Sequence, residues 1–398
     1  MVQTGLEVLL EEGLSGLRGR RVGALCHPAS LTRRLIHIVD ALASAKVQIT
    51  HLFGPEHGIR GEAQDMMGVA GDRDARTGIP VTSLYGETFE SLAPTAAQLS
   101  DVEVLLIDLQ DVGSRYYTFI WTMALCMQSA ARAGVSVVVL DRPNPIGGAA
   151  VEGGEVATWA ESFVGLGSIP IRHGLTIGEV ARLVRAGIPW GGERFAKPLD
   201  CDLKVVAMRG WTRETFFDHT GLPWVLPSPN MPTVETALVY PGMCLLEGTN
   251  ISEGRGTTRP FEIFGAPSVD GYRLAEALHA YHLPGVRFRP LSFRPTFHKF
   301  AGQVCGGVQL HVTDRAAFRP YLTGIAILRA LHSQPGADFR WRTEKYEFVS
   351  DRPAIDLLTG GDAVRKGIEA GASLGDLRAM WQPAEDAFED RRHACLLY

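Results

Sequence analysis

The feature that most constrains this chain is a series of short apolar runs, each leading into a loop of acids, arginines, amides and glycines. Residues 21–26 (RVGALC), 47–53 (VQITHLF), 102–108 (VEVLLID) and 135–140 (VSVVVL) read as strands. Residues 35–45 and 118–133, between them, carry helical patterns. Near-continuous apolar runs suit strands covered on both faces. Their alternation with helices implies right-handed crossovers and a Rossmann-like α/β parallel sheet. A chain of 398 residues exceeds one ordinary core. After a further run at 203–207, the segment LPWVLPSPNMP (222–232) is too dense in proline for regular structure. The domain boundary is expected there. A Rossmann-like catalytic domain would span 1–226, and a smaller α+β domain would span 227–398, with a strand at 308–312 and a helix at 318–331.

Composition narrows the function classes. With 45% hydrophobic and 21% charged residues the chain reads as folded throughout. A net charge of -5 argues against a nucleic-acid partner, which calls for a basic face. The six cysteines are scattered without a CxxC pair, so buried free thiols are expected rather than disulfides or a zinc ribbon. No run approaches the ~20 apolar residues of a membrane span. The first residues, MVQTGLE, show no basic region or long apolar stretch, so no signal peptide is read. The expectation is a cytoplasmic protein as written, or an exported one if a signal precedes it. No GxGxxG, GxxxxGK[ST] or HExxH occurs, and no GxSxG elbow follows an expected strand. No cofactor and no metal are expected.

In open parallel sheets the ligand crevice lies outside the carboxyl ends of the strands. Four loops at that edge carry chemistry: HPAS (27–30), GPEHGIRG (54–61), DLQDVGSRY (108–116) and DRPNP (141–145). In the second, proline and glycines fix a tight turn. Glu56 leaves an apolar strand there, so partial desolvation is expected to raise its pKa toward a general acid's range. The alternative is a surface pair with Arg60. His57 is either a proton carrier or a loop hydrogen-bonder. Asp108 and Asp141, ending strands, either cap the next helix or order a loop, or else face the ligand, and Asp141 is counted among the binding candidates. Arg115 and Arg142 either grip a carboxylate or pair with Asp111 or Asp141. A second cluster, EGTNISEGRGTTRP (247–260), has the hydrogen-bonding density of a ligand loop, through Glu247, Asn250, Glu253, Arg255 and Arg259. Gln110, Tyr116, Asn144, Glu152, Arg172, His173 and Asn230 complete the candidate binding set.

These residues carry a family resemblance. GPEHGIRG, DLQDVGSRYYT (108–118), DRPNPIGG (141–148), PIRHGLTIGE (170–179), PSPNMPT (227–233), YPGMCLLEGTNISEGRGTTRPFE (240–262), GAP (265–267) and FRPTFHKF (293–300) closely resemble the NamZ family of peptidoglycan exo-β-N-acetylmuramidases. The likeness runs from about residue 20 to Leu396-Leu397-Tyr398. Only Ile59 departs from the glutamate motif, replacing a frequent aromatic. The resemblance implies a Rossmann-like catalytic domain and an auxiliary C-terminal domain that completes a cleft. It implies release of β-1,4-linked N-acetylmuramic acid from the non-reducing end of peptidoglycan fragments, with Glu56 as the catalytic residue. The substrate's lactyl carboxylate calls for a cation among Arg60, Arg115, Arg142, Arg255 and Arg259. Glycoside cleavage needs a second group: Glu253, then Glu247, then Glu152, or else the substrate's acetamido oxygen. Elimination with Glu56 as base, hydrolysis of the lactyl ether and non-catalytic sugar binding are the competing readings.

Overall fold

A computed structural model describes residues 1–59 and 73–398. Its N-terminal half is built on a parallel sheet of β1 (Arg21–Cys26), β2 (Gln48–Gly54), β3 (Val81–Ser83), β4 (Val104–Asp108), β5 (Ser136–Leu140) and β6 (Leu203–Val206). The order is β3-β2-β1-β4-β5-β6, so the winding reverses between β1 and β4. Successive side chains on a strand face opposite ways. Leu25, Leu105, Ile107, Val137 and Val139 therefore join one apolar layer, while Ala24, Val104, Leu106, Val138 and Leu140 join the other. Helices α1 (Gly5–Glu11) and α2 (Ile38–Ser44) cover the second layer. Beyond α3 (Ala96–Leu99), α4 (Phe119–Ala133) and α5 (Ile177–Ala186) cover the first. The α/β expectation holds, and the proline-rich segment lacks helix and strand.

The first layer continues without a break into the C-terminal half. There α6 (Val234–Met243) packs on α8 (Pro320–Ser333), beside an antiparallel sheet of β7 (Ile263–Ala266), β9 (Cys305–Val312) and β8 (Val286–Phe293). Helix α7 (Gly271–Ala280) packs on that sheet. The contact between α6 and α8 needs a glycine: a Cβ on Gly242 would stand 1.9 Å from the Pro320 carbonyl oxygen. The chain then returns to the first half. Arg392 donates to the carbonyls of Gly148, Ala149 and Gly174, and the Tyr398 hydroxyl donates to Asp141. All six cysteines are buried and none is in a disulfide. No described helix is long and apolar enough to cross a membrane.

Candidate active site

The loop after β2, the start of α4, the proline-rich segment and the C-terminal half line one partly open cavity, with about 500 Å³ of space including its solvent-filled mouth. The β2 loop turns immediately, with Gly58 N–H donating to the Pro55 carbonyl at 2.9 Å and His57 at φ 72°. Gly54 permits this, because a Cβ there would stand 2.9 Å from the Ile59 nitrogen. The turn buries Glu56 and His57, and both line the cavity. Thr118 is the N-cap of α4, yet its hydroxyl does not cap its own helix. It donates instead to Glu56 Oε2 at 3.0 Å. The carboxyl group is thus fixed beside the first turn of α4.

The opposite wall is an ion cluster. Arg255 Nη1 lies 2.7 Å from Glu247 Oε1 and 3.1 Å from Glu253 Oε1, with its guanidinium 5.0 Å over the Phe261 ring. The Tyr346 hydroxyl, kept protonated by burial, donates to Glu247 Oε2 at 2.8 Å. Glu253 is fully buried behind Arg255. Burial alone would raise its pKa, but Lys299 at 2.9 Å, the His298 hydrogen bond at 3.1 Å and Arg255 outweigh that and hold it well below the usual carboxylate range.

A third wall comes from a tight turn. Tyr346 and Val349 exchange both backbone hydrogen bonds, at 2.8 and 2.9 Å. The two residues between them, Glu347 at φ 43° and Phe348 at φ 70°, are left-handed. Each costs roughly 1–2 kcal/mol without glycine. Phe348 is held by Tyr85, Phe89 and Phe163, with ring centroids 5.7–6.3 Å away. Glu347 lines the cavity, and the Tyr85 hydroxyl donates to its Oε2 at 3.3 Å.

Of the candidates read from sequence, the cavity gathers Glu56, His57, Tyr116, Asn230, Glu247 and Arg255. Arg60 lies outside the described residues. The remaining candidates do not line the cavity, and most have their polar groups bonded within the scaffold. Glu253 is screened from the cavity by Arg255 and serves as the anchor of the ion cluster. Arg115 is fully buried and donates to the carbonyls of Gly154, Ile169 and Leu358; burial pushes its pKa down to about 10. Arg142 forks onto Asp108, not Asp141, and reaches the Leu31 carbonyl. Asp141 orders the start of α5, accepting from the Gly178 N–H and the Thr176 hydroxyl. Glu152 pairs with Arg172 at 3.2 Å and accepts the Tyr321 N–H. His173 sits 3.3 Å from Asp111. Gln110 donates to the Asp111 and Pro143 carbonyls, Asn144 to that of Leu175, and Asn250 to that of Asp338. Arg259 pairs with Glu262. The loops after β1, β4 and β5 thus fasten the strand ends to one another. His27 is typical: its Nε2 accepts the Gln110 N–H at 2.9 Å, and burial, then Arg142, keeps it neutral.

Sequence reasoning missed Thr118, Tyr117, Tyr240, Phe261, Tyr346 and Glu347. Thr118 closes the string DLQDVGSRYYT, so its place straight after a strand-end loop was a usable signal. Glu347 offered none.

Comparison with known proteins places these walls in a family context. Residues 22–235 match the model for the N-terminal part of exo-β-N-acetylmuramidase NamZ, and residues 238–398 match that for its C-terminal part. The chain is 45% identical to the peptidoglycan β-N-acetylmuramidase NamZ of Bacillus subtilis strain 168, over 100% of this chain and 91% of that one. Two crystal structures of DUF1343 family proteins from Bacteroides fragilis share the fold. One has a TM-score of 0.88 at 34% identity and the other 0.78 at 29%; each match covers 100% of this chain and 99% of the other.

Proposed function

Because the chain belongs to the NamZ family of exo-β-N-acetylmuramidases, we propose that it hydrolyses the β-1,4 bond of a terminal N-acetylmuramic acid at the non-reducing end of peptidoglycan fragments, with Glu56 as general acid. The observation that carries the reading is the placement of Glu56. It is buried in a cavity walled by both halves of the chain and held by Thr118 at the N-terminus of α4. A proton from Glu56 to the glycosidic oxygen lets the C1–O pair leave with the aglycone as oxocarbenium character builds at C1. Phe119, Tyr240 and Phe261 line the same space and limit water around that charge.

Arg255 is the cation that the described residues bring to the cavity, and we assign it the lactyl carboxylate. Its guanidinium is shared with Glu247 and Glu253, and Lys299 balances the second of these. The anion therefore meets a fixed, preorganised donor rather than a flexible one.

The test is incubation with a chromogenic N-acetylmuramic acid glycoside and with muropeptides, the products being identified by mass. Release of intact N-acetylmuramic acid is expected, with no free lactate. On muropeptides, Glu56→Gln should lower kcat by about 10²–10⁴-fold, the usual contribution of a general acid, with an unchanged melting temperature. Near-normal turnover of muropeptides by that variant would refute the assignment.

A further inference from the structure

The cavity holds a second carboxylate that no motif pointed to, and we infer that Glu347 is the base that activates the hydrolytic water. The inference rests on the muramidase reading above and adds a residue to it. Three observations carry it. Glycoside cleavage needs two groups, one at the leaving oxygen and one at C1. Among the described residues lining the cavity, the carboxylates are Glu56, Glu247 and Glu347. Glu247 has each oxygen bonded, one to Arg255 and one to Tyr346, so it serves the ion cluster.

Glu347 is placed against local preference. It sits left-handed in a two-residue turn that is fixed by reciprocal hydrogen bonds and by the half-buried Phe348 ring. A strained position that persists because its surroundings over-determine it is a mark of function. Tyr85 orients its carboxyl. Glu56 comes from the N-terminal half and Glu347 from the C-terminal half, so a sugar held in the cavity lies between contributions from both. A base at C1 corresponds to a single displacement, in which a water stands between the base and C1.

In the step, the water oxygen bonds to C1 and passes its proton to Glu347. The C1–O pair leaves with the aglycone oxygen, which takes the Glu56 proton. One water is consumed, and solvent exchange returns a proton from Glu347 to Glu56.

The experiment uses the full chain with 4-nitrophenyl β-N-acetylmuraminide and with a muropeptide, for wild type, Glu347→Gln, Glu347→Ala and Glu56→Gln. Folding is checked by thermal melts and by N-acetylmuramic acid binding. Both Glu347 variants should lose about 10²–10⁴-fold in kcat on both substrates. Azide should restore turnover of Glu347→Ala as the α-azide, and the first sugar formed by wild type should be the α-anomer by NMR. A folded Glu347 variant that keeps more than a tenth of wild-type kcat overturns the inference; so does failure of azide rescue, or a β-anomer as first product. The nitrophenolate needs no proton to leave, so Glu56→Gln should recover on that substrate alone. If wild type releases no N-acetylmuramic acid, the muramidase reading fails instead. If Glu56→Gln is fully active while Glu347→Ala is dead, only the acid assignment falls.

Discussion

Replacing Glu253 with glutamine separates an anchoring role from a catalytic one. The Glu253 carboxylate is fully buried, 2.9 Å from Lys299 and 3.1 Å from both Arg255 and His298. The substitution keeps its shape and one acceptor but leaves two largely buried cations, Arg255 and Lys299, short of a counter-charge. Breaking a buried pair from one side costs about 3–5 kcal/mol; the retained acceptor favours the low end, about 3 kcal/mol. Against a total stability of roughly 5–15 kcal/mol this is a large loss, visible as several degrees in melting temperature. The pH dependence fixes its origin. The folded-state pKa of Glu253 lies well below its ordinary 4.5. Its contribution is therefore fully present above the ordinary carboxylate range, and is lost as pH falls below that range through the folded value. Urea titrations followed by circular dichroism should show the variant about 3 kcal/mol less stable at pH 7, the two proteins converging as pH falls below about 4.5. At a temperature where both are folded, kcat should stay within about tenfold, since removal of a catalytic acid or base costs 10²–10⁴-fold. Equal stability at pH 7, or unchanged stability with a catalytic-sized loss of kcat, would refute the anchoring role.

Two further substitutions probe the neighbouring networks. Tyr398→Phe removes the hydroxyl that donates to Asp141 at 2.7 Å and accepts the Met208 N–H at 2.6 Å, and should cost about 1.5–3 kcal/mol at pH 8. Burial raises the Asp141 pKa from 3.8 to about 6, so the folded chain holds a proton that the unfolded one has released. Stability from this group falls as pH rises through that window and levels above it. Melts of the variant should therefore show a smaller loss at pH 4 than at pH 8, and equal losses would contradict this account. Thr118→Val deletes the hydroxyl that orients the Glu56 carboxyl and should lower kcat/KM by about 2–10-fold, the worth of a neutral hydrogen bond. Steady-state kinetics beside an unchanged melt checks it.

The sheet was legible because its strands are covered on both faces, so their apolar runs stand out whatever the register. The expected ends of β1, β2, β4 and β5 fall within two residues of those observed. Three strands escaped. Val81–Ser83 has three residues and Ile263–Ala266 four, too few to show a period. Val286–Phe293 does alternate at its start, burying Val286 and Phe288 and exposing Arg287 and Arg289, but Pro290 interrupts the pattern. Proline removes a ladder donor and is tolerated on edge strands. β8 is such an edge, paired to β9 alone. The loops at the strand ends misled for a different reason. Acids and arginines outside a sheet's carboxyl edge serve a ligand crevice or a buried scaffold equally well, and only burial separates the two. Asp108 with Arg142, and Glu152 with Arg172, show almost no exposed side chain.

The residues that were found and those that were missed differ in their agreement with local chemistry. Glu56 lies in a turn that proline and glycine announce, and Glu247 lies at the end of a short 3-10 helix that runs into the glycine-rich loop of Arg255; each of these signals exists before tertiary structure forms. Glu347 and Phe348 occupy the two left-handed places of a tight turn, for which Asn-Gly is the favoured pair. Read locally, KYEFVS therefore argues against a turn there. The turn forms because Phe348 is captured by rings from residues 85, 89 and 163, contacts more than 180 positions away that no local window contains. Left-handed non-glycine residues also sit at His57 and Phe261, on the other walls of the same cavity. The surroundings impose those conformations on the backbone, and they bring one residue from each of three distant segments to a single space. Local consistency in a sequence marks the parts that fold themselves, whereas its violation, visible only in the folded chain, marks parts of the site held in place by everything else.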